Sequence, residues 1–102
     1  MPFQDAYKDI SDLHYIETRL ATFPPIFGAQ LKLVCQLGTL NEQYLQRGQV
    51  SEEACSEMRG ILGNLRRRLE AYETNVAFIL EKIRSTTQLV SFRSTHQVQH
   101  SL

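Results

Sequence analysis

The sequence predicts an all-α protein, an antiparallel helical hairpin in which one long C-terminal helix packs against two shorter N-terminal helices. Apolar residues recur at steps of three and four along most of the chain, and no stretch alternates as a strand does. Only Pro24-Pro25 and Arg47–Ser51 interrupt the pattern. We predict one helical domain over 1–93 and a frayed or disordered tail over 94–102, with helices at about 5–23, 26–47 and 51–93.

The first predicted helix ends at the proline pair, because a residue that precedes proline is disfavoured in the α region. Its apolar stripe consists of Ile10, Leu13, Ile16 and Leu20. The second helix takes Pro25 into its first turn, where the missing N–H costs nothing, and Gly48 is its natural C-terminal stop. Its apolar face consists of Leu33, Leu37, Leu40 and Tyr44.

The third helix carries the strongest pattern in the chain. Ser51 is a suitable N-cap, and Glu52 and Glu53 follow in the first turn, where the helix dipole favours acidic side chains. Gly60 and Gly63 are expected to mark close approach to a neighbouring element. A heptad repeat then consists of Met58, Leu62, Leu65, Leu69, Tyr72, Val76, Ile79, Ile83, Thr86 and Val90.

A short turn centred near Gln49 makes the second and third helices antiparallel neighbours, and the proline step lets the first helix continue along the long one. This register places Leu40 opposite Met58, Leu33 opposite Leu65, Ile26 opposite Tyr72, Ile16 opposite Ile83 and Leu13 opposite Thr86. Two helices bury only a narrow seam. Phe78, Leu80, Leu89 and Phe92 lie beside it as extra apolar surface, which predicts a covering protein partner and self-association.

The predicted packing and interface residues are therefore Leu62, Leu65, Leu69, Tyr72, Val76, Ile79, Ile83, Phe78, Leu89 and Phe92. The partner is a protein, with a homo-oligomer expected. Eleven basic and eleven acidic residues give a net charge of zero, which argues against nucleic acid. No apolar run approaches the ~20 residues that span a bilayer, so a membrane is expected only through segments outside this chain. Without a visible signal peptide, the expected location is cytoplasmic.

Catalytic and metal-binding patterns are nearly absent, so neither an enzyme nor a cofactor is predicted. His96 and His100 share a helix face at i, i+4, but no third ligand stands near them. Arg66-Arg67-Arg68 predicts a solvated face with ion pairs, or else a lipid or partner contact, since three consecutive helical residues point in three directions. Cys35 and Cys55 are expected to be unpaired, small, buried or half-buried helix residues, near Asn64 and Gln43 respectively.

Three stretches together resemble a known family: Asp12–Leu20, then Phe23–Ile26, then Leu80–Val90 with its Ile83-Arg84-Ser85-Thr86 segment. A first leucine-containing helix, a proline step and a very long last helix are similar to the cytosolic helical region that precedes the membrane helices in fungal-type CorA-like divalent-cation transporter proteins. The resemblance implies a cytosolic stalk that helps a ring of subunits to assemble. The Gly-Met-Asn signature of that family does not occur in these residues, so no ion-selective residue is carried over.

Two main functional hypotheses follow from the sequence. One is the assembly domain of a CorA-like membrane protein, which expects two apolar segments of about 20 residues beyond Leu102. The other is a free-standing coiled-coil adaptor or signalling domain with a defined protein partner. A membrane-perturbing helical toxin is a third hypothesis, although the expected apolar N-terminal helix is missing.

Overall fold

The structure, a computed structural model, describes the backbone of residues 2–101 and the side chains of 4–5, 7–93 and 95. Over these residues it consists of three helices, α1 (Pro2–Leu20), α2 (Phe23–Gln46) and α3 (Glu52–Ser101). The predicted all-α helical hairpin is confirmed. The chain divides into two compact units. Unit 1 joins α1 to α3 from Val76 onward, and unit 2 comprises residues 24–75.

The break between α1 and α2 lies before the proline pair rather than at it. Helix α1 ends at Leu20, where residue 23 was the predicted end, and the Thr22 hydroxyl donates a hydrogen bond of 2.7 Å to a carbonyl of the last turn. Helix α2 begins at Phe23, so Pro24 and Pro25 both lie in its first turn. The N–H groups of a first turn have no partner within the helix, and proline is therefore tolerated there.

The turn between α2 and α3 follows the predicted capping chemistry. Gly48 adopts a positive φ of 70°, which its lack of a Cβ permits, and the Gln49 N–H donates to the Tyr44 carbonyl at 2.9 Å. Ser51 caps α3 by accepting a hydrogen bond of 3.1 Å from the Ala54 N–H. The predicted stop at Gly48 and cap at Ser51 are both confirmed. Together they fix where the hairpin reverses.

Helix α3 differs from the prediction in two ways. Its backbone remains helical to Ser101, whereas the sequence predicted a frayed tail over 94–102; Leu102 lies outside the described residues. The predicted close approach at Gly60 and Gly63 is wrong within this chain, because a Cβ built at either position meets no atom within 4 Å. The helix passes both glycines without a break. Its 50 residues correspond to a length of roughly 75 Å.

The core of unit 2 is small and lies between α2 and the first half of α3. Val34, Leu62 and Leu69 are buried, and Phe27 and Leu31 pack against them with partly buried side chains. On α2 these residues follow one another at steps of four and three, which is the spacing of one helix stripe. The hairpin is therefore held together by a single narrow seam of apolar contacts.

Contacts across unit 2 run in the antiparallel sense. The Asn41 side-chain amide donates to the Cys55 carbonyl at 3.0 Å, and Arg59 pairs with Glu42 at 2.7 Å. Further from the turn, the Phe27 and Tyr72 rings lie 6.3 Å apart. The last pair is offset by one residue from the predicted pairing of position 26 with Tyr72. The predicted alignment of α2 along α3 is thus close to the observed one.

The predicted rotation of α2 about its axis is wrong, and that of α3 is right for only part of its heptad, since Leu62 and Leu69 are in the core. Leu33 and Leu65, expected to face each other in the seam, are 54% and 42% exposed. Leu40 and its predicted partner Met58 are exposed as well. Neighbouring residues such as Val34 and those in contact with it occupy the seam instead. The physical reason is that each helix carries two apolar stripes at steps of three and four, and a single seam accepts only one stripe from each.

Unit 1 is held by half-buried side chains of α1 and the second half of α3. Leu80, predicted as surplus surface, is one of its buried residues, while Ile16, predicted to meet Ile83, is 45% exposed. Glu17 takes the inward position on α1 and accepts a hydrogen bond of 3.1 Å from Arg84. Ile10, Leu13 and Leu20, the other members of the predicted stripe, are half-buried, so the prediction for α1 is wrong at Ile16 alone.

Candidate functional site

The main surface feature of unit 2 is an apolar face that no part of the unit covers. Nine large hydrophobic side chains of α2 and α3 are each 42–60% exposed on it. The members from α2 are Ile26, Leu33, Leu37, Leu40 and Tyr44, and those from α3 are Met58, Ile61, Leu65 and Tyr72. These nine residues are called the apolar face below.

Helix geometry places all nine residues on the same side of the hairpin. At 100° per residue, the α2 members are rotated by roughly a quarter turn from Val34, and the α3 members by a similar angle in the same sense from Leu62. Val34 and Leu62 both point into the seam. Because the helices are antiparallel, equal rotations in one sense bring the two stripes to one side. The apolar face is therefore continuous across both helices.

The apolar face is large for an isolated surface. Nine side chains with about half of their area exposed amount to on the order of 800 Å², above the ~300–600 Å² of the largest apolar patch on a typical monomer. It matches the ~800 Å² that each partner contributes to a stable protein interface. The charged residues Glu57 and Arg68 lie only at its outer edge. The surface therefore has the size and character of an interface core.

The ten residues predicted for packing and interface fall into three groups. Leu62 and Leu69 are buried in the core of unit 2. Val76 and Ile83 are half-buried in unit 1. The remaining six are exposed. Two of them, Leu65 and Tyr72, lie on the apolar face, and the other four lie in unit 1: Ile79, Phe78, Leu89 and Phe92. The structure thus brings Leu65 and Tyr72 together with the α2 leucines on a surface, not in a seam.

Cations lie over two of the exposed aromatic rings of unit 1. The Lys82 ammonium is 5.1 Å from the centre of the Phe78 ring, and the Arg19 guanidinium is 5.6 Å from that of Tyr15. Such contacts are worth about 0.5–1 kcal/mol at exposed sites, so one face of each ring already interacts with a cation. They give unit 1 a more polar surface than the apolar face of unit 2, which makes unit 2 the stronger candidate for a protein contact.

A polar cluster near the turn of unit 2 was not foreseen from the sequence. Cys55 is fully buried, and its thiol lies 3.8 Å from the Asn41 carbonyl and 3.7 Å from a Glu42 carboxylate oxygen. Arg59 closes the cluster with two hydrogen bonds to Glu42, of 2.7 and 2.9 Å. Asn41 also bonds the backbone of the facing helix. The cluster fixes both the rotation and the register of α2 against α3, because each contact is directional.

The Glu42–Arg59 pair makes part of the stability depend on pH. The Arg59 hydrogen bonds lower the pKa of Glu42 below its ordinary value of 4.5, so the pair stabilises the fold at pH values above 4.5 and is lost as the pH falls through the lowered pKa. We expect Glu42→Gln to lower the melting temperature near neutral pH, and the difference from wild type to shrink on acidification. Thermal unfolding between pH 3 and 7 measures it. A difference that does not change with pH would contradict the ion pair.

The two cysteines are unpaired and differ in exposure. Cys55 is buried, as predicted, and lies beside Asn41 and Glu42, close to the predicted neighbour at position 43. The prediction for Cys35 is wrong, because its side chain is exposed. Cys35 instead lines a shallow groove of about 360 Å³ on unit 2, on the side of α2 away from the apolar face, together with Gly38 and Gly63.

The arginine run takes part in contacts within its own helix. Arg66 pairs with Glu70 at 2.9 Å, and Arg67 donates a hydrogen bond to Asn64. Both are contacts between residues three or four positions apart, of the kind that solvated helices carry. These contacts agree with the predicted face of ion pairs. Of the three arginines, only Arg68 then remains for the alternative interpretation, a contact with a lipid or a protein partner.

Metal-binding residue types do not cluster in the part of the chain whose side chains are described. There, no group of three or more His, Cys, Asp or Glu could hold a metal ion. The side chains of His96 and His100 lie outside the described residues. None of the described helices combines the length and hydropathy needed to cross a membrane.

Comparison with known proteins returns no relative for this chain. No protein-family model, no curated protein and no solved structure matches it. The functional interpretation therefore depends on the surface of unit 2.

Proposed function

We propose that this chain is a non-catalytic helical assembly module, which associates with copies of itself through the apolar face of unit 2. The observation that supports the proposal is the face itself, nine large apolar side chains exposed on one side of the hairpin. Burying on the order of 800 Å² of such surface on each partner, about 1,600 Å² for the pair, is worth on the order of 40 kcal/mol before the costs of association, which consume most of it.

The cellular context that we propose is the cytosolic stalk of a CorA-like metal-ion transporter protein. Helix α3 supports it, because a stalk requires a long helix and α3 runs for 50 residues. A free-standing adaptor or signalling module that binds a protein partner is the alternative. The apolar face supports that alternative equally, since it needs no membrane segment to form an interface.

Two measurements test these proposals. We expect sedimentation equilibrium of the wild-type chain at about 1–200 µM, a range that covers micromolar dissociation constants, to show reversible self-association. A monomer throughout would contradict the assembly role. The native transcript then separates the contexts: a reading frame that continues beyond Leu102 into two apolar segments of about 20 residues supports the stalk. A stop codon near Leu102 supports the free-standing module.

A further inference from the structure

The distribution of charge along unit 2 bears on how two copies would pair, and the inference below rests on the proposed function. The half next to the turn, residues 35–62, carries four glutamates and two arginines, a net charge of −2. The other half, residues 24–34 and 63–75, carries one lysine, three arginines and two glutamates, a net charge of +2. Unit 2 as a whole is neutral, but its two ends have opposite signs.

Two arrangements would bury the apolar face against its own copy with two-fold symmetry. In one, both hairpins point the same way, so that α2 of one copy lies on α3 of the other. In the second, the hairpins point in opposite directions, so that each helix lies on its own counterpart. Apolar residues meet in both arrangements, because the face extends along both helices. Charge separates them: the first stacks −2 on −2 and +2 on +2, and the second stacks opposite signs.

We infer that unit 2 binds a second copy of itself end-reversed, with the apolar faces packed together in an antiparallel four-helix bundle. The two-fold axis would pass at the level of the seam residues Val34 and Leu62, midway along the face. Counting from that level, each residue of α3 lies opposite the residue of the other copy that is the same number of positions away on the other side of Leu62. Glu57 meets Arg68 of the other copy to within about one residue, or 1.5 Å along the axis.

Glu57 and Arg68 are well suited to this role. Both are exposed and lie at the outer edge of the apolar face, by the same helix geometry that defines the face. Among the ion pairs formed by the described residues, none includes either of them. The end-reversed dimer would give two equivalent Glu57–Arg68 pairs at its rim. Ion pairs at the rim of an interface contribute little affinity, but they favour one orientation of the two copies over the other.

A spin-label distance measurement tests the orientation directly. The exposed Cys35 is replaced by serine, a label is attached through Gln49→Cys at the turn, and the buried Cys55 stays unlabelled. In the end-reversed dimer the two labels lie about 14 residues on either side of the axis, or roughly 40 Å apart. Hairpins that point the same way would bring both turns to one end, with the labels within about 25 Å of each other. Cys35→Ser alone, treated with the same label, is the control.

Each outcome has a definite meaning. A dimer with a distance near 40 Å supports the inference. A dimer with a short distance, or an assembly of more than two copies, overturns the inference and leaves the assembly role intact. A monomer overturns both.

Charge reversal gives an independent test in low salt, where exposed pairs are least screened. Glu57→Arg alone and Arg68→Glu alone should each raise the dissociation constant several-fold, and the two substitutions together should restore it. Glu53→Arg, which makes the same charge change away from the apolar face, is the matched control and should have a smaller effect that Arg68→Glu does not rescue. Failure of the double variant to recover affinity would contradict the pairing of Glu57 with Arg68.

Discussion

Leu62→Ala is expected to destabilise the protein by about 2–5 kcal/mol, because it removes a buried side chain from the centre of a small core and leaves a cavity. Leu62 is 8% exposed and belongs to the cluster of three buried residues in unit 2. So few side chains hold this seam that the loss is a large fraction of the total stability. Urea unfolding followed by far-ultraviolet circular dichroism, at low micromolar protein, measures the change.

Leu33→Ala is the matched control, since it deletes the same atoms from an α2 side chain that is 54% exposed. In the monomer we expect a cost within about 0.5 kcal/mol, as is usual for surface substitutions. An equal cost at both sites at low protein concentration would mean that the helices are rotated as the sequence pattern suggested. If the cost of Leu33→Ala instead grows with protein concentration, the side chain becomes buried only on association, as the proposed assembly requires.

The double variant Leu37→Lys with Leu65→Lys is expected to weaken self-association by at least about 100-fold. Both residues lie within the apolar face, so each dimer would bury four lysines with no partner, and an unpaired buried charge is costly. A loss of 100-fold corresponds to about 2.7 kcal/mol, a modest demand for four such groups. Lysine is a good helix former, so the hairpin itself should remain folded. Sedimentation velocity and circular dichroism report association and folding separately.

Gln36→Lys with Ala71→Lys adds the same charges at exposed positions on the outer sides of α2 and α3. This control should associate like the wild type, apart from a small effect of added net charge. Equal weakening by both double variants would attribute the effect to charge in general and remove the apolar face from the interface. A folded Leu37→Lys, Leu65→Lys variant that still associates with wild-type affinity would do the same.

Much of the fold was readable from the sequence because local chemistry determines it. Gly48 permits the positive φ that ends α2, and the Ser51 hydroxyl accepts the hydrogen bond that starts α3. These two residues place the turn, and the turn then sets the position of one helix along the other. The near agreement between the predicted and observed neighbours of Tyr72 follows from that placement. The apolar residues of the surface were recognised as well, although they were assigned to the seam.

The rotation of the helices was decided only by the tertiary structure. Leu33 and Val34 belong to two different stripes of α2, and both stripes repeat at the steps of a helix face, so periodicity does not choose between them. What separates them is a set of contacts between residues distant in sequence: Asn41 with the backbone of Cys55, and Glu42 with Arg59. Polar residues carry no weight in a hydrophobic pattern, but their directional hydrogen bonds form at only one rotation of the helices. The sequence by itself therefore determined the helices, their caps and the turn, and only the contacts between α2 and α3, such as that of Asn41 with the Cys55 carbonyl, decided which leucines are buried and which are exposed.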